Sequence, residues 1–157
     1  MRIECFTNDK EFRTLKEEWN KLLFRSTVNT IFLTWEWMFT WWKYYGQGKR
    51  LFIVTVRDKG GELLGLAPLC IKEAKAYGLT SMKTLTFLGS GEVCSDYLDF
   101  IISAERNEDI LKAILEYLES HSRQWNYTSL SDISESSSNL DYIKEILRLR
   151  NIDFLVI

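Results

Sequence analysis

The densest run of reactive side chains is Glu92-Val93-Cys94-Ser95-Asp96-Tyr97-Leu98-Asp99. Carboxylates, a hydroxyl and a phenol in one short segment suit proton transfer: a carboxylate takes a proton, and a phenol with pKa near ~10 gives one. Asp96 or Glu92 is the candidate base and Tyr97 the candidate acid, with Ser95 and Asp99 as candidate substrate contacts. Turn chemistry alone also accounts for Ser95 and Asp96, whose side chains readily bond nearby backbone. In that case Tyr97 and Asp99 alternate along a strand whose Leu98 and Phe100 face the core.

A second group is the aromatic string TWEWMFTWWKYYG, Thr34 to Gly46. Trp35 and Trp37 could line an acceptor pocket by stacking on a sugar or an acyl chain. The same helix could lie on a membrane surface with Lys43 snorkelling. It could equally pack its rings in the core or against a partner, which would explain aromatics on more than one side. Gly89-Ser90-Gly91 has neither the third glycine nor the lysine of a phosphate loop and opens no helix, so it reads as a flexible loop. His121 is the single histidine, with no second ligand type beside it, and no metal is expected. No Ser/His/Asp or Cys/His nucleophile pattern is present.

The elements that must position these groups belong to one domain, residues 1–157. A chain of 157 residues, 46% hydrophobic and 27% charged, can bury a self-sufficient core. Its formal charge of −2 argues against a nucleic-acid partner, which would call for a basic stripe. Cys5, Cys70 and Cys94 are odd in number and far apart, which points to a reducing, cytoplasmic setting. No signal-peptide pattern opens the chain and no apolar run approaches a membrane span, so membrane association is not expected.

Residues Arg2–Phe6 read as a strand. Asn8 and Glu11 make a capping box for a helix running to Leu23 or Phe24. A second helix spans Thr34 to the residue before Gly46. Leu51–Arg57 and Glu62–Lys72 form a hairpin about Asp58-Lys59-Gly60-Gly61, both arms apolar on both faces and therefore inside a covered sheet. Pro68 marks a bulge or an unpaired edge. Met82–Leu88 and Tyr97–Ile102 read as strands, Asn107–His121 as an amphipathic helix, and Tyr127–Ser131 as a further strand. Ser138 caps a last helix, and Phe154–Ile157 begins a strand. This order predicts an α/β (mixed α+β) fold with a mixed, mostly antiparallel central sheet flanked by helices.

That order resembles the GNAT (Gcn5-related N-acetyltransferase) fold. Four strings in succession, FLTWEWMFTWWKYYG, LFIVTVRDKGGELLGLAPLCI, LTFLGSG and SDYLDFII, resemble the CelD/BcsL-like acetyltransferases, relatives of the Fem aminoacyl transferases with two GNAT-like halves. The likeness covers Arg2 to Ile102 and continues only in element order. It implies acetyl-CoA or another acyl-CoA as donor and a small-molecule, glycan or lipid-precursor amine or hydroxyl as acceptor. Family members that hold acetyl-CoA carry an Arg/Gln-x-x-Gly-x-Gly/Ala loop before a helix, whose backbone N–H groups cradle pyrophosphate. The matching stretch here is Ser103-Ala104-Glu105-Arg106-Asn107-Glu108-Asp109, without glycine and rich in carboxylates. The resemblance therefore implies an N-terminal GNAT-like half whose donor is bound by a second half or a homodimer partner, the isolated chain being inactive. The alternative is a degenerate GNAT-fold binding domain that does no chemistry.

Overall fold

A computed structural model describes residues 1–76, 80–91 and 93–154. Strand β1 (Arg2–Phe6) leads into helices α1 (Asp9–Thr14) and α2 (Lys16–Phe24). The single helix expected there is broken at Leu15. Asn8 caps α1 by accepting Glu11 N–H at 3.0 Å, while the Glu11 carboxylate reaches back to Thr7 N–H at 3.1 Å. Helix α3 (Trp35–Tyr45) is capped by Thr34, as its sequence predicts.

The hairpin forms the middle of the sheet. β2 (Lys49–Arg57) and β3 (Leu63–Ala76) pair in antiparallel register, Leu51 with Cys70 and Ile53 with Pro68. β4 (Thr80–Phe87) pairs with the far half of β3, and β5 (Ile101–Ile102) with its near end. Helix α4 (Asn107–Ser120), strand β6 (Tyr127–Ser129), parallel to β4, and helix α5 (Ser138–Leu149) complete the described chain. The main path of the sheet is β1-β2-β3-β4-β6, antiparallel throughout except for the last pair.

Helices cover both faces. Arg57, Glu18 of α2 and Glu4 form a cluster on one side, with Arg57 Nη2 2.6 Å from Glu18. On the other, Gly65 lies so close under α4 that a Cβ there would stand 2.2 Å from Ile110 Cγ2. The core between them includes Trp19, Phe12, Leu22, Ile53, Leu66, Phe87 and Phe100, all fully buried. At ~25 cal/mol per Å² of apolar surface, each such aromatic contributes a few kcal/mol, so the apolar face of each element fixes where it docks.

Two expectations need correction. The strand from Tyr97 is only Ile101–Ile102, because Tyr97 itself has φ 57, outside the extended region. The last helix is capped by Ser137, whose Oγ accepts Asn139 N–H at 3.2 Å, and Ser138 is its first residue. Of the strand expected at Phe154–Ile157, residues 155–157 lie outside the described residues.

Candidate functional site

β4 and β5 lie end to end along one edge of β3, with Phe87 opposite Leu69 and Ile101 opposite Leu66. Between them the chain leaves the sheet over residues 88–100. The Pro68 carbonyl accepts Leu88 N–H at 2.8 Å just where the departure begins. The N–H and C=O of a strand residue point the same way, so the donor that proline lacks would have faced the departing chain. Pro68 thus marks no bulge but an unpaired stretch on this edge of β3, where its neighbour strand is interrupted.

The excursion is strained and then tied down. Cys94 (φ 49) and Tyr97 (φ 57) occupy the left-handed region, which costs a side-chain-bearing residue about 1–2 kcal/mol each. Gly89 (φ 90) and Gly91 (φ 97) take positive φ where glycine tolerates it. From α3, Trp37 Nε1 donates to Ser95 Oγ at 3.1 Å. From the segment after β6, Asp132 O accepts Leu98 N–H at 2.9 Å. From the start of α5, Ser137 Oγ donates to Asp99 Oδ2 at 2.5 Å and Asn139 Nδ2 to Asp99 Oδ1 at 2.9 Å. Phe100 N–H completes the shell of Asp99 at 2.7 Å. Burial pushes the Asp99 carboxyl above its usual range, and the bonds from Ser137, Asn139 and Phe100 oppose the rise.

The sequence-predicted residues therefore separate. Ser95 and Asp99 are each only 2% exposed, and the Asp99 oxygens are occupied by protein donors. Asp96 and Tyr97 are exposed, Tyr97 by 57%, with no side-chain hydrogen bond among the described residues. Glu92 lies outside the described residues. Trp35 and Trp37 point to different sides of α3, as two steps of ~100° require. Trp37 reaches the excursion, whereas Trp35 stacks on Phe39 at 4.5 Å and donates to Phe12 O at 3.0 Å.

Sequence reasoning missed the residues that hold the loop. Lys72 donates to Ser90 O at 3.1 Å and Ser90 Oγ at 3.2 Å, and that hydroxyl lies 3.0 Å from Thr86 Oγ1. A lone cation ending an apolar strand was its one signal. Ser137 and Asn139 carried none, because their partner Asp99 is distant along the chain.

The entry to α4 contains no glycine. A single 3₁₀ turn, Ala104–Arg106, feeds directly into the helix, whose first turn holds Glu108 and Asp109. Both are exposed, as is Glu105, and their charges complement the positive end of the helix dipole. Among the described residues no group of His, Cys, Asp and Glu could hold a metal ion, and no helix is long and apolar enough to cross a membrane.

No protein-family model matches the chain, and no curated protein matches it. Solved structures do match. One, described as a "probable acetyltransferase", has a TM-score of 0.56 at 14% identity over 93% of this chain and 88% of that one. Ribosomal-protein-alanine N-acetyltransferase from Brucella melitensis biovar Abortus 2308 gives 0.55 at 11% identity over 99% and 95%. An acetyltransferase of Trypanosoma brucei gives 0.52 at 10% identity over 99% and 94%. At such identities the likeness is one of architecture: this chain has the GNAT-like fold.

Proposed function

We propose that this chain is the N-terminal GNAT-like half of an acyl-CoA-dependent N-acetyltransferase of the CelD/BcsL-like type. Its acceptor is an amine or hydroxyl of a sugar, polysaccharide or lipid precursor. The observation that carries this proposal is the 88–100 excursion, a strained loop at the interruption of the central sheet that displays a carboxylate and a phenol. Likeness in fold to acetyltransferases supports the reaction class.

In this mechanism the acceptor nitrogen attacks the thioester carbonyl. Asp96, directly or through water, takes the proton that nitrogen sheds, with Glu92 as the alternative base. Tyr97 protonates the departing thiolate. Trp37, held by Ser95, forms a wall of the acceptor cleft, and the reaction proceeds by positioning without a covalent enzyme intermediate. The carboxylates at the entry to α4 favour donor binding by a second GNAT-like half or a homodimer partner. Among the described residues Cys5, Cys70 and Cys94 form no disulfide, which suits a reducing cytoplasm.

The test is thiol release from acetyl-CoA with a panel of amino sugars, using the polypeptide its gene encodes in full. Asp96→Asn and Tyr97→Phe are each expected to lower kcat by about 10²-fold with little change in KM. Turnover unaffected by both would overturn their roles. Tight calorimetric binding of acetyl-CoA by residues 1–157 alone would overturn the divided donor site. A second reading, a non-catalytic binding domain, draws on the lack of any side-chain partner that would orient Asp96 or Tyr97 among the described residues. It predicts acceptor binding without thiol release.

A further inference from the structure

The starts of β2 and β4 and the segment before β6 come together around the far half of β3. These elements surround an open cavity of about 720 Å³, with Lys49, Arg50, Glu73, Lys83, Arg123 and Trp125 in its lining. That volume falls within the ~300–1,000 Å³ usual for small-molecule sites. The lining places four cations against one carboxylate in a protein whose net charge is −2.

The one carboxylate, Glu73, stands opposite Lys83 in the β3–β4 register and accepts from the Ser81 hydroxyl, so it offsets one of the four positive charges and leaves an excess of three. Lys49 donates to Tyr45 O and sits over the Trp41 ring, so it contributes charge at the rim. Arg50 uses Nη2 on Gln124 Oε1 at 2.8 Å and keeps further N–H donors. The side chains of Lys83 and Arg123 have no hydrogen-bond or ion-pair partner among the described residues. Cations gathered around one cavity in this excess make it a place where an anion is attracted.

The frame around these cations is built rather than loose. Asn126 N–H donates to Lys83 O at 2.8 Å and Asn126 Oδ1 accepts Lys83 N–H at 2.7 Å, locking the two segments together. Trp125 meets Phe52 edge-on at 5.4 Å and is half-buried, giving the cavity an apolar wall.

We propose that this cavity binds a phosphate-bearing small molecule with two or more negative charges. Its phosphates lie among Arg50, Lys83 and Arg123, and its organic part lies against Trp125. The site shares no lining residue with the excursion and does not depend on the proposed acyl transfer.

Calorimetric titration with inorganic pyrophosphate and with ADP, at about 50 mM salt where screening is weak, tests it. Saturable one-to-one binding is expected, weakened at least ~10-fold in the Lys83→Gln/Arg123→Gln double variant and unchanged in Asp96→Asn. Lys83 and Arg123 are exposed, so that variant should keep the parent circular-dichroism spectrum and melting temperature. Tighter binding of ADP than of pyrophosphate, abolished by Trp125→Ala, would support the seat for the organic part; equal affinities would overturn that seat. No saturable binding of either probe, or equal binding by the double variant, would overturn the site itself.

Discussion

The β2–β3 turn and the 88–100 excursion are both breaks in strand pairing beside β3, but they are secured differently. The turn closes on itself: Asp58 N–H donates to Glu62 O at 3.0 Å, and Asp58 Oδ1 accepts Glu62 N–H at 2.9 Å. Gly61 supplies its one positive φ, 89, at a position open to solvent with nothing near where a Cβ would be. The excursion instead places Cys94 and Tyr97 in left-handed backbone and recovers their cost through α3, α5 and the segment after β6. A connection that only joins strands can be stabilised by its own residues. One that presents particular side chains has to be held from outside.

The largest expected effect breaks that outside hold. Asp99→Ala leaves Ser137 and Asn139 facing each other inside the protein without their shared acceptor, and should cost about 3 kcal/mol in urea unfolding. A loss below about 1 kcal/mol would show that the excursion stands without α5. Asp99→Asn probes the same tie through pH. Because burial raises the Asp99 pKa, the native state favours its neutral form. The stability this supplies is present at acid pH and lost as pH rises from the ordinary carboxylate range through the raised value. The parent should therefore lose more stability than Asp99→Asn as pH rises above the ordinary carboxylate range. Parallel profiles would show that the carboxyl does not titrate in this way.

The turn offers the matching local test. Gly61→Ala puts a Cβ on a φ of 89 and should cost about 1 kcal/mol, with faster amide exchange confined to the tips of β2 and β3. Exchange spreading to residues 88–100 would mean the two connections are coupled. The smallest effect has the opposite sign. Tyr97→Gly removes the strain at φ 57 from an exposed position and should stabilise by about 0.5–1 kcal/mol in thermal melts, while lowering any activity that depends on the phenol. Destabilisation would place the Tyr97 ring in a packing role.

What was legible in the sequence follows the same division. The hairpin, α3 with its Thr34 cap, and the Asn8 cap of α1 depend on residues a few positions apart, and their patterns show directly in the chain. The break at Leu15 was not visible, because Phe12, Leu15, Trp19 and Leu22 keep helical spacing across it. The segment Tyr97–Ile102 alternated as a strand should, yet Asp99 serves α5 instead, a partnership set by tertiary proximity. Pro68 is irregular in the sequence itself for a physical reason, a missing donor. Only the paired strands show which neighbour that donor would have faced. The candidate chemistry at Asp96 and Tyr97 was read from residue type alone, and their exposure adds an orientation that no spacing could supply.

The end-to-end placement of β4 and β5 has a consequence for exchangeability. β3 supports both pieces from the same edge, so the sheet does not need the intervening residues to keep its register. Within residues 88–100 the freedom to vary is confined to exposed positions such as Cys94, Asp96 and Tyr97, because Leu88, Leu98 and Phe100 belong to the core and Asp99 is bound to α5.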